Sequence, residues 1–280
     1  MKVIHTIFDL QQNLTSSRKQ NKSIGYVATM GALHEGHLSL IERARNDHDV
    51  VVVSIFVNPL QFGEGEDFDS YPRDFDRDQQ LCKEAGVDFL FFPSVAEMYP
   101  DEPSVEIKVI QGVDVLCGKS RPGHFDGVAT VVLKLFHIIS PDAAYFGQKD
   151  AQQVAVIKQM VKTLSMPLEI VACPTIREED GLAKSSRNVY LTDQERALAP
   201  HLHQTLQQAK SMALSGSNRE ELMSFVEEQL ASIQLGKIDY VDVLTYPKLE
   251  RPSTHSGTLI IALAYHFSQA RLIDHVLIDL

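Results

Sequence analysis

Residues 29–45 read TMGALHEGHLSLIERAR and set His34 and His37 around Gly36, where an apolar run gives way to an amphipathic one. Two imidazoles at that spacing admit three chemistries. As metal ligands they form H-E-G-H, one residue short of the H-E-x-x-H motif that puts two histidines on one helical face with a glutamate between them. No nearby cysteine or carboxylate cluster completes a zinc set. As structural residues they would be satisfied side chains, the ordinary fate of a single histidine. As anion ligands they would join a helix N-terminus, whose unpaired amides and partial positive charge favour phosphate. Gly31 and Gly36 let the backbone approach closely, and the imidazoles add donors that strengthen as charge develops on a phosphate. This third reading accounts best for two histidines flanking a glycine at such a junction.

Three further stretches carry donors in suggestive places. FVNPLQFG ends an apolar run with Asn58 and Gln61, whose uncharged amides both donate and accept and so suit a small hydroxy acid. Asn58-Pro59 also reads as a plain turn start. YFGQKDAQQ puts Gly147, Gln148, Lys149 and Asp150 between a strand and a helix. There Lys149 either faces phosphate or lies on the surface, and Asp150 suits an N-cap. GLAKSSRN gathers Lys184, Ser185, Ser186 and Arg187 in successive positions, as a solvated loop, a helix cap or a phosphate clamp. Arg121 and His124 in RPGHFDG are candidates for a pocket rim. The acidic stretch EGEDFDSYPRDFDRD (64–78) reads as a solvated loop and helix start, so no metal ligand is named from it.

These residues need elements to hold them. SIGYVATM, DVVVVSIFVNP, VDFLFFP, AAYFG and LEIVACPTI read as strands; HLSLIERARN, DFDRDQQLCKEAG, DGVATVVLKLFHIIS and DAQQVAVIKQMVKTL read as helices between them. Strands apolar on both faces and alternating with helices predict an α/β fold, a parallel sheet with helices on both faces, with ligands at the carboxyl ends of its strands. After PTIREEDGLAKSSRNVYL the rhythm changes to a helical stretch over about 194–232 and then to IDYVDVLTY, GTLIIALAYHF and ARLIDHVLIDL, three strands joined by turns. The expected division is a domain over 1–177 and a smaller C-terminal α+β domain over 178–280. The net charge of −11, without a basic block, speaks against nucleic acid and anionic membranes as partners. Three widely spaced cysteines fit a reducing compartment, and neither a secretory signal nor a membrane-length apolar run is visible, so the expected location is the cytoplasm.

HEGH after a parallel strand resembles the HIGH-type signature of adenylyl-transferring nucleotidyltransferases. TMGALHEGH, IFVNPLQFG, YPRD, RPGHFDGVATVV, FGQKDAQQ and DGLAKSSRNVYL, in that order over nearly the whole chain, resemble the pantoate–β-alanine ligase family. The resemblance implies a Rossmann-like nucleotide- and pantoate-binding domain, a C-terminal lid domain, a homodimer, and ligation of pantoate to β-alanine with ATP and Mg²⁺ through a pantoyl-adenylate. It implies ATP contacts from Met30, Gly31, Ala32, Leu33, His34, Glu35, Gly36 and His37, and from Gly147 to Asp150, with Asp150 near the ribose. Ile176 would contact the nucleotide through its backbone. Lys184, Ser185, Ser186 and Arg187 match the mobile KMSKS-type loop, with Lys184 where many relatives carry methionine. Gln61 and Gln153 would hold pantoate, with Asn58 beside them. His34, His37, Lys149 and Arg187 would be the catalytic group, with His37 as proton donor. The rivals are a HIGH-type adenylyltransferase for another acid, a synthetase-type RNA-binding module, and a metallohydrolase using the two histidines.

Overall fold

The computed structural model describes residues 1–66, 68–253 and 256–280. In chain order the elements are β1 (Lys2–Ile4), α1 (Ile7–Lys19), β2 (Ile24–Thr29), α2 (Glu35–Asp47), β3 (Val50–Ile55), α3 (Phe75–Glu84), β4 (Phe89–Phe91) and α4 (Val95–Met98). They continue with α5 (Leu116–Ser120), α6 (His124–Ile139), β5 (Ala143–Gly147), α7 (Ala151–Thr163) and β6 (Glu169–Cys173). The last are α8 (Asp193–Leu198), α9 (Pro200–Leu214), α10 (Arg219–Ala231), β7 (Lys237–Thr245), β8 (Thr258–His266) and β9 (Arg271–Asp279). The chain divides into two compact units. One gathers Met1–Val109, Arg121–Gln148 and Val156–Pro174, the other Ile110–Ser120, Lys149–Ala155 and Thr175–Leu280.

The first unit is built on a parallel sheet in the order β1-β4-β3-β2-β5-β6. Every residue of β3 (VVVVSI) is buried, as expected where helices cover both faces. On one face Val27, Val51, Val53 and Tyr145 pack with Leu40, Ile41 and Ala44 of α2 and Cys82 of α3. On the other, the ring of Phe136 on α6 meets Tyr26 and Phe146 edge-on, at centroid separations of 6.2 and 6.3 Å. Each such buried aliphatic or aromatic side chain contributes about 2 kcal/mol. From β2 the chain steps outward through β3 and β4, whereas β5 and β6 lie on the other side of β2. The carboxyl ends of β2 and β5 therefore flank a topological switch point, where open α/β sheets bind ligands.

The second unit holds the antiparallel meander β7-β8-β9. Leu259, Ile261, Leu263 and Tyr265 of β8 join Leu206, Ala209, Leu222, Val226 and Leu230 of α9 and α10. Ile260 and Ala262, pointing the other way, join Leu116, Ala151, Ala155, Leu244 and Leu249. The run TLIIALAYH is thus apolar on both faces because both are covered. The cover for the second face comes from segments far upstream, which is why 110–120 and 149–155 group with the C-terminal strands. Gln152, 6% exposed, fastens them: its Nε2 donates to the carbonyls of Gly112 (2.8 Å) and Val115 (2.9 Å).

The parallel sheet, its helices and the three-stranded meander are as the periodicity predicts. One helical expectation changes. The stretch over 194–232 is three helices, because Pro200 opens a new one at α9 and Gly216, at φ +96°, closes it. Capping boxes at Thr192/Glu195 and Asn218/Glu221 start the flanking two. The N-terminal segment, whose mixed pattern carried no assignment, forms β1 and α1, the latter capped by Thr6. Among the described residues no helix is long and apolar enough to cross a membrane. Cys82, Cys117 and Cys173 are buried and free.

Candidate active site

After β2 the Thr29 hydroxyl donates to the Ser54 carbonyl (2.7 Å) and accepts the Gly31 N–H (3.3 Å). The chain then turns through two left-handed residues, Gly31 (φ +89°) and Ala32 (φ +51°), the second a conformation that non-glycine residues rarely adopt. It reaches α2 with His34 as N-cap. The Gly36 N–H donates to His34 Nδ1 (3.1 Å), and the His34 N–H donates to His37 Nδ1 (3.3 Å). Since Nδ1 of each ring is the acceptor, each neutral imidazole carries its proton on Nε2. The ring centroids lie 4.1 Å apart. The structural and anion-binding readings of the pair are therefore compatible. One nitrogen of each ring caps the helix, and the other carries the proton. Met30, Ala32, Gly36 and both histidines are half-buried, Gly31 and Leu33 buried, and Glu35 exposed.

Beyond β3, Asn58 is 1% exposed and opens the turn that presents Gln61. Asn58 Oδ1 accepts from the Leu60 N–H (3.3 Å) and the Tyr99 hydroxyl (3.0 Å), and its Nδ2 donates to the Gly127 carbonyl (3.1 Å) and Gln61 Oε1 (3.3 Å). Burial pushes the Tyr99 phenol up to about 12, so it stays protonated and donates. With its amide committed inside the protein, Asn58 acts by holding Gln61. Gln61 Nε2 lies 3.0 Å from Met30 Sδ, which ties the two loops together. The Gln61 carbonyl accepts from His124 Nδ1 (2.8 Å), leaving His124 Nε2 to accept from Arg121 Nη1 (3.0 Å). Arg121 also forks onto Glu66, at 2.6 Å to each oxygen. Burial pushes the Glu66 carboxyl up, but the guanidinium outweighs it and holds the group below its ordinary value. Arg121 and His124 thus buttress Gln61 from behind.

That geometry corrects the reading of 64–78 as a solvated stretch. Glu66 is partly buried in the Arg121 pair, and Asp78 is 1% exposed. Phe75, Asp78 and Cys82 fall at helical spacing on one stripe of α3, and a carboxylate inside an apolar stripe was the signal available in the sequence. Asp78 accepts the Ala32 N–H on Oδ2 (2.8 Å) and the Leu33 N–H on Oδ1 (2.8 Å). Tyr99 and Gly127 were also missed. Both earn their place through distant partners, so no local pattern marks them.

β5 pairs with β2 in register, Gly25 with Ala143 through Val27 with Tyr145, so Gly147 and Gln148 leave the sheet beside the loop that carries the histidines. The first unit therefore brings Met30 to His37, Gln61, Gly147 and Gln148 to one carboxyl edge. No group of three or more His, Cys, Asp or Glu side chains is placed there, or elsewhere among the described residues, to hold a metal ion.

The second unit carries the remaining candidates. Lys149, 22% exposed, has Nζ 3.9 Å from Asp150 Oδ1, and Gln153 is half-buried on α7. Residues 176–184 form a tight hairpin, in which the Lys184 N–H donates to the Ile176 carbonyl (2.9 Å) and the Glu178 N–H to the Leu182 carbonyl (2.8 Å). Lys184 Nζ lies 3.5 Å from Glu178. Ser185 Oγ accepts the Arg187 N–H (3.3 Å), starting a short 3-10 turn over Ser186–Tyr190. The hairpin is fastened at its base: Arg177 donates through both Nη atoms to Asp274 of β9, at 2.7 and 2.9 Å.

Burial pushes the Asp274 carboxyl up, but His203, Arg177 and the His275 amide outweigh it and hold it at about 2. A depressed carboxylate stabilises the fold above its unfolded value and loses that contribution as pH falls through the folded one. Here the loss runs from the ordinary value of 3.8 down to about 2. Asp274→Asn leaves Arg177 opposite a neutral amide and is expected to cost about 3 kcal/mol at neutral pH. It should also flatten the acid loss of stability in that window. Urea unfolding at pH 7, 4, 3 and 2 checks both; parallel curves for variant and wild type would refute the assignment.

The sequence model of the family described as Pantoate-beta-alanine ligase matches residues 2–277. The chain is 58% identical over 283 residues to a pantothenate synthetase of Halalkalibacterium halodurans, covering 99% of each chain. It is 53% identical over 281 residues to one from a Geobacillus species, covering both in full. Among solved structures, the pantothenate synthetase of Thermus thermophilus superposes with a TM-score of 0.92 at 44% identity, covering 99% of each chain. A pantoate-beta-alanine ligase of Francisella tularensis, complexed with beta-gamma ATP and beta-alanine, superposes with a TM-score of 0.83 at 39% identity, covering 99% of this chain and 97% of its own.

Proposed function

We propose, on the premise that this chain belongs to the pantoate-beta-alanine ligase family, that it joins pantoate to β-alanine in two steps driven by ATP. Ligation of those two substrates is the family's reaction, and the chain carries it as an enzyme. In the first step a pantoate carboxylate oxygen attacks the α-phosphorus of ATP, the bond to the bridging oxygen of the β-phosphate breaks, and diphosphate leaves with that electron pair. The product is a mixed anhydride, pantoyl-adenylate. In the second step the free amine of β-alanine attacks the acyl carbon, AMP departs, and the new amide loses a proton to water or base. No covalent bond to the protein is needed, so catalysis rests on positioning and on charge stabilisation.

The observation that carries this reading is the reciprocal cap of His34 and His37 at the carboxyl edge of β2. It fixes two Nε2–H donors at a helix N-terminus, where negative charge accumulates as diphosphate departs. His37, nearer the helix body, is our candidate for the catalytic hydrogen-bond donor, its Nε2–H taking the charge that develops on the phosphates. Gln61, held by Asn58 and by His124, suits the hydroxyl and carboxylate of pantoate. The backbone from Met30 to Gly36, with Leu33 and Glu35, lines the adenylate side, and Gly147 and Gln148 stand beside it at the end of β5. The family pattern assigns the residues of the second unit. Lys149, Lys184, Ser185, Ser186 and Arg187 are phosphate donors, Asp150 serves the ribose, Ile176 the nucleotide through its backbone, and Gln153 pantoate.

Magnesium would be compatible with this donor set: imidazole, amide and ammonium groups would take phosphate oxygens, and an ion carried mainly by the nucleotide would need no all-protein cage. When bound it neutralises phosphate charge. We also infer a homodimer, checked by sedimentation equilibrium, and a cytoplasmic location in keeping with three free buried cysteines, checked by cell fractionation. The deciding experiment is exchange of labelled diphosphate into ATP with pantoate present and β-alanine withheld. Exchange that depends on pantoate supports the adenylate. No exchange from folded protein with magnesium would overturn it.

A further inference from the structure

The stretch after β2 has a feature that the reaction does not itself require. Its two left-handed residues, Gly31 and Ala32, turn two successive amides toward α3. Both of those amides, Ala32 and Leu33, end on the two oxygens of one carboxylate, Asp78 of α3. Asp78 is all but fully buried, and a Cβ built on Gly31 would come within 3.1 Å of its Oδ2. The carboxylate and the turn are thus shaped to each other. An ionised carboxylate presents two strong acceptor oxygens to two adjacent N–H groups; an amide turns a donor toward one of them, and a carboxylic acid offers only its weaker hydroxyl oxygen there. A non-glycine residue held at positive φ persists only where its surroundings over-determine it, and here those surroundings are the two bonds to Asp78.

We propose that Asp78 is a positioning residue for the nucleotide loop: by taking the Ala32 and Leu33 amides it holds the turn that aims the His34–His37 cap at the phosphates of ATP. It touches no substrate. Burial raises its carboxyl above the ordinary value, and the two amides oppose that rise without cancelling it, so losing either bond would make the charge harder to keep. Around it stand Asp74 and Arg77 of its own helix, Cys82 one turn further on, and the loop amides opposite. The proposal rests on the functional reading above, in that ATP is the ligand of this loop.

The test is calorimetric titration of the full-length protein with magnesium-ATP, and separately with pantoate. Asp78→Asn is the principal variant and Asp74→Ala the control. Asp74 caps α3, accepting the Arg77 N–H (3.2 Å), and takes neither loop amide, so its loss loosens the same helix without unbinding the loop. We expect Asp78→Asn to weaken ATP at least tenfold with pantoate affinity within twofold of wild type, whereas Asp74→Ala lowers the melting temperature and leaves both affinities unchanged. If Asp78→Asn does not fold, Gly31→Ala strains the turn from the other side and should show the same selective loss of ATP. Wild-type ATP affinity in whichever variant folds overturns the proposal. So does a parallel loss of ATP and pantoate, which would mark a merely structural role. Wild-type protein that binds no ATP overturns the functional reading, and this proposal with it.

Discussion

A His37→Ala variant is expected to lose pantoate-dependent diphosphate exchange by at least about 100-fold, the usual cost of removing one donor aimed at developing charge. The side chain has two functions in the structure, and they can be separated. Its Nδ1 accepts the His34 N–H and so helps cap α2; its Nε2–H is the donor assigned to phosphate. Loss of the capping bond alone costs about 1 kcal/mol. Glutamine at the third position of a helix can reach back to the N-cap amide as well, so His37→Gln should recover most of the melting temperature while exchange stays low. Exchange within about threefold of wild type in the alanine variant would show that His37 is only a cap, and would move the charge-stabilising role elsewhere in the proposed donor set.

The second large effect is expected at a residue with no side chain. Gly127 lies in α6 where the helix presses on the turn that carries Gln61. A Cβ there would stand 2.1 Å from the Leu60 carbonyl oxygen, 2.4 Å from its carbon and 2.6 Å from the Gln61 nitrogen. These are backbone atoms, so no rotamer change relieves the clash; helix or turn must move. The Gly127 carbonyl also accepts from Asn58 Nδ2, so any shift disturbs the amide that holds Gln61. Gly127→Ala is expected to cost about 3 kcal/mol, the upper part of the overpacking range. Displacing Gln61 by a fraction of an ångström to an ångström should raise KM for pantoate by about tenfold or more, with KM for ATP little changed. Thermal unfolding and pantoate-dependent exchange measure the two effects. A variant matching wild type in both would mean that the turn yields freely and does not set the position of Gln61.

The two predictions differ in how far the sequence could support them. His37 announces itself: two histidines around a glycine, at the junction of an apolar run and an amphipathic one, are visible in a few residues. The same is true of the buried strands and of Gly86, which ends α3 at φ +78°, whereas Pro200, which starts α9, goes unread inside one helical stretch. Gly127 and Asp78 are not visible in that way. Gly127 matters because Leu60 passes over it and Asn58 bonds it from 69 positions away, and Asp78 because the Ala32 amide reaches it across 46.

What the sequence determined by itself had a local cause. Hydrophobic period gave β2 to β9 and the helices α2, α3, α6 and α7 their type, Gly86 marked one helix end, and the donor-rich loops stood out by residue type alone. Tertiary structure alone decided which acidic residues are buried, which glycine admits no Cβ, and that Asn58 supports Gln61 by bonding it. It also decided that 110–120 and 149–155 cover the outer face of the C-terminal strands. The reason is physical: a period reports which side of an element avoids water, but not what lies against that side. A carboxylate on a buried stripe, or a glycine under a passing carbonyl, takes its meaning only from that neighbour.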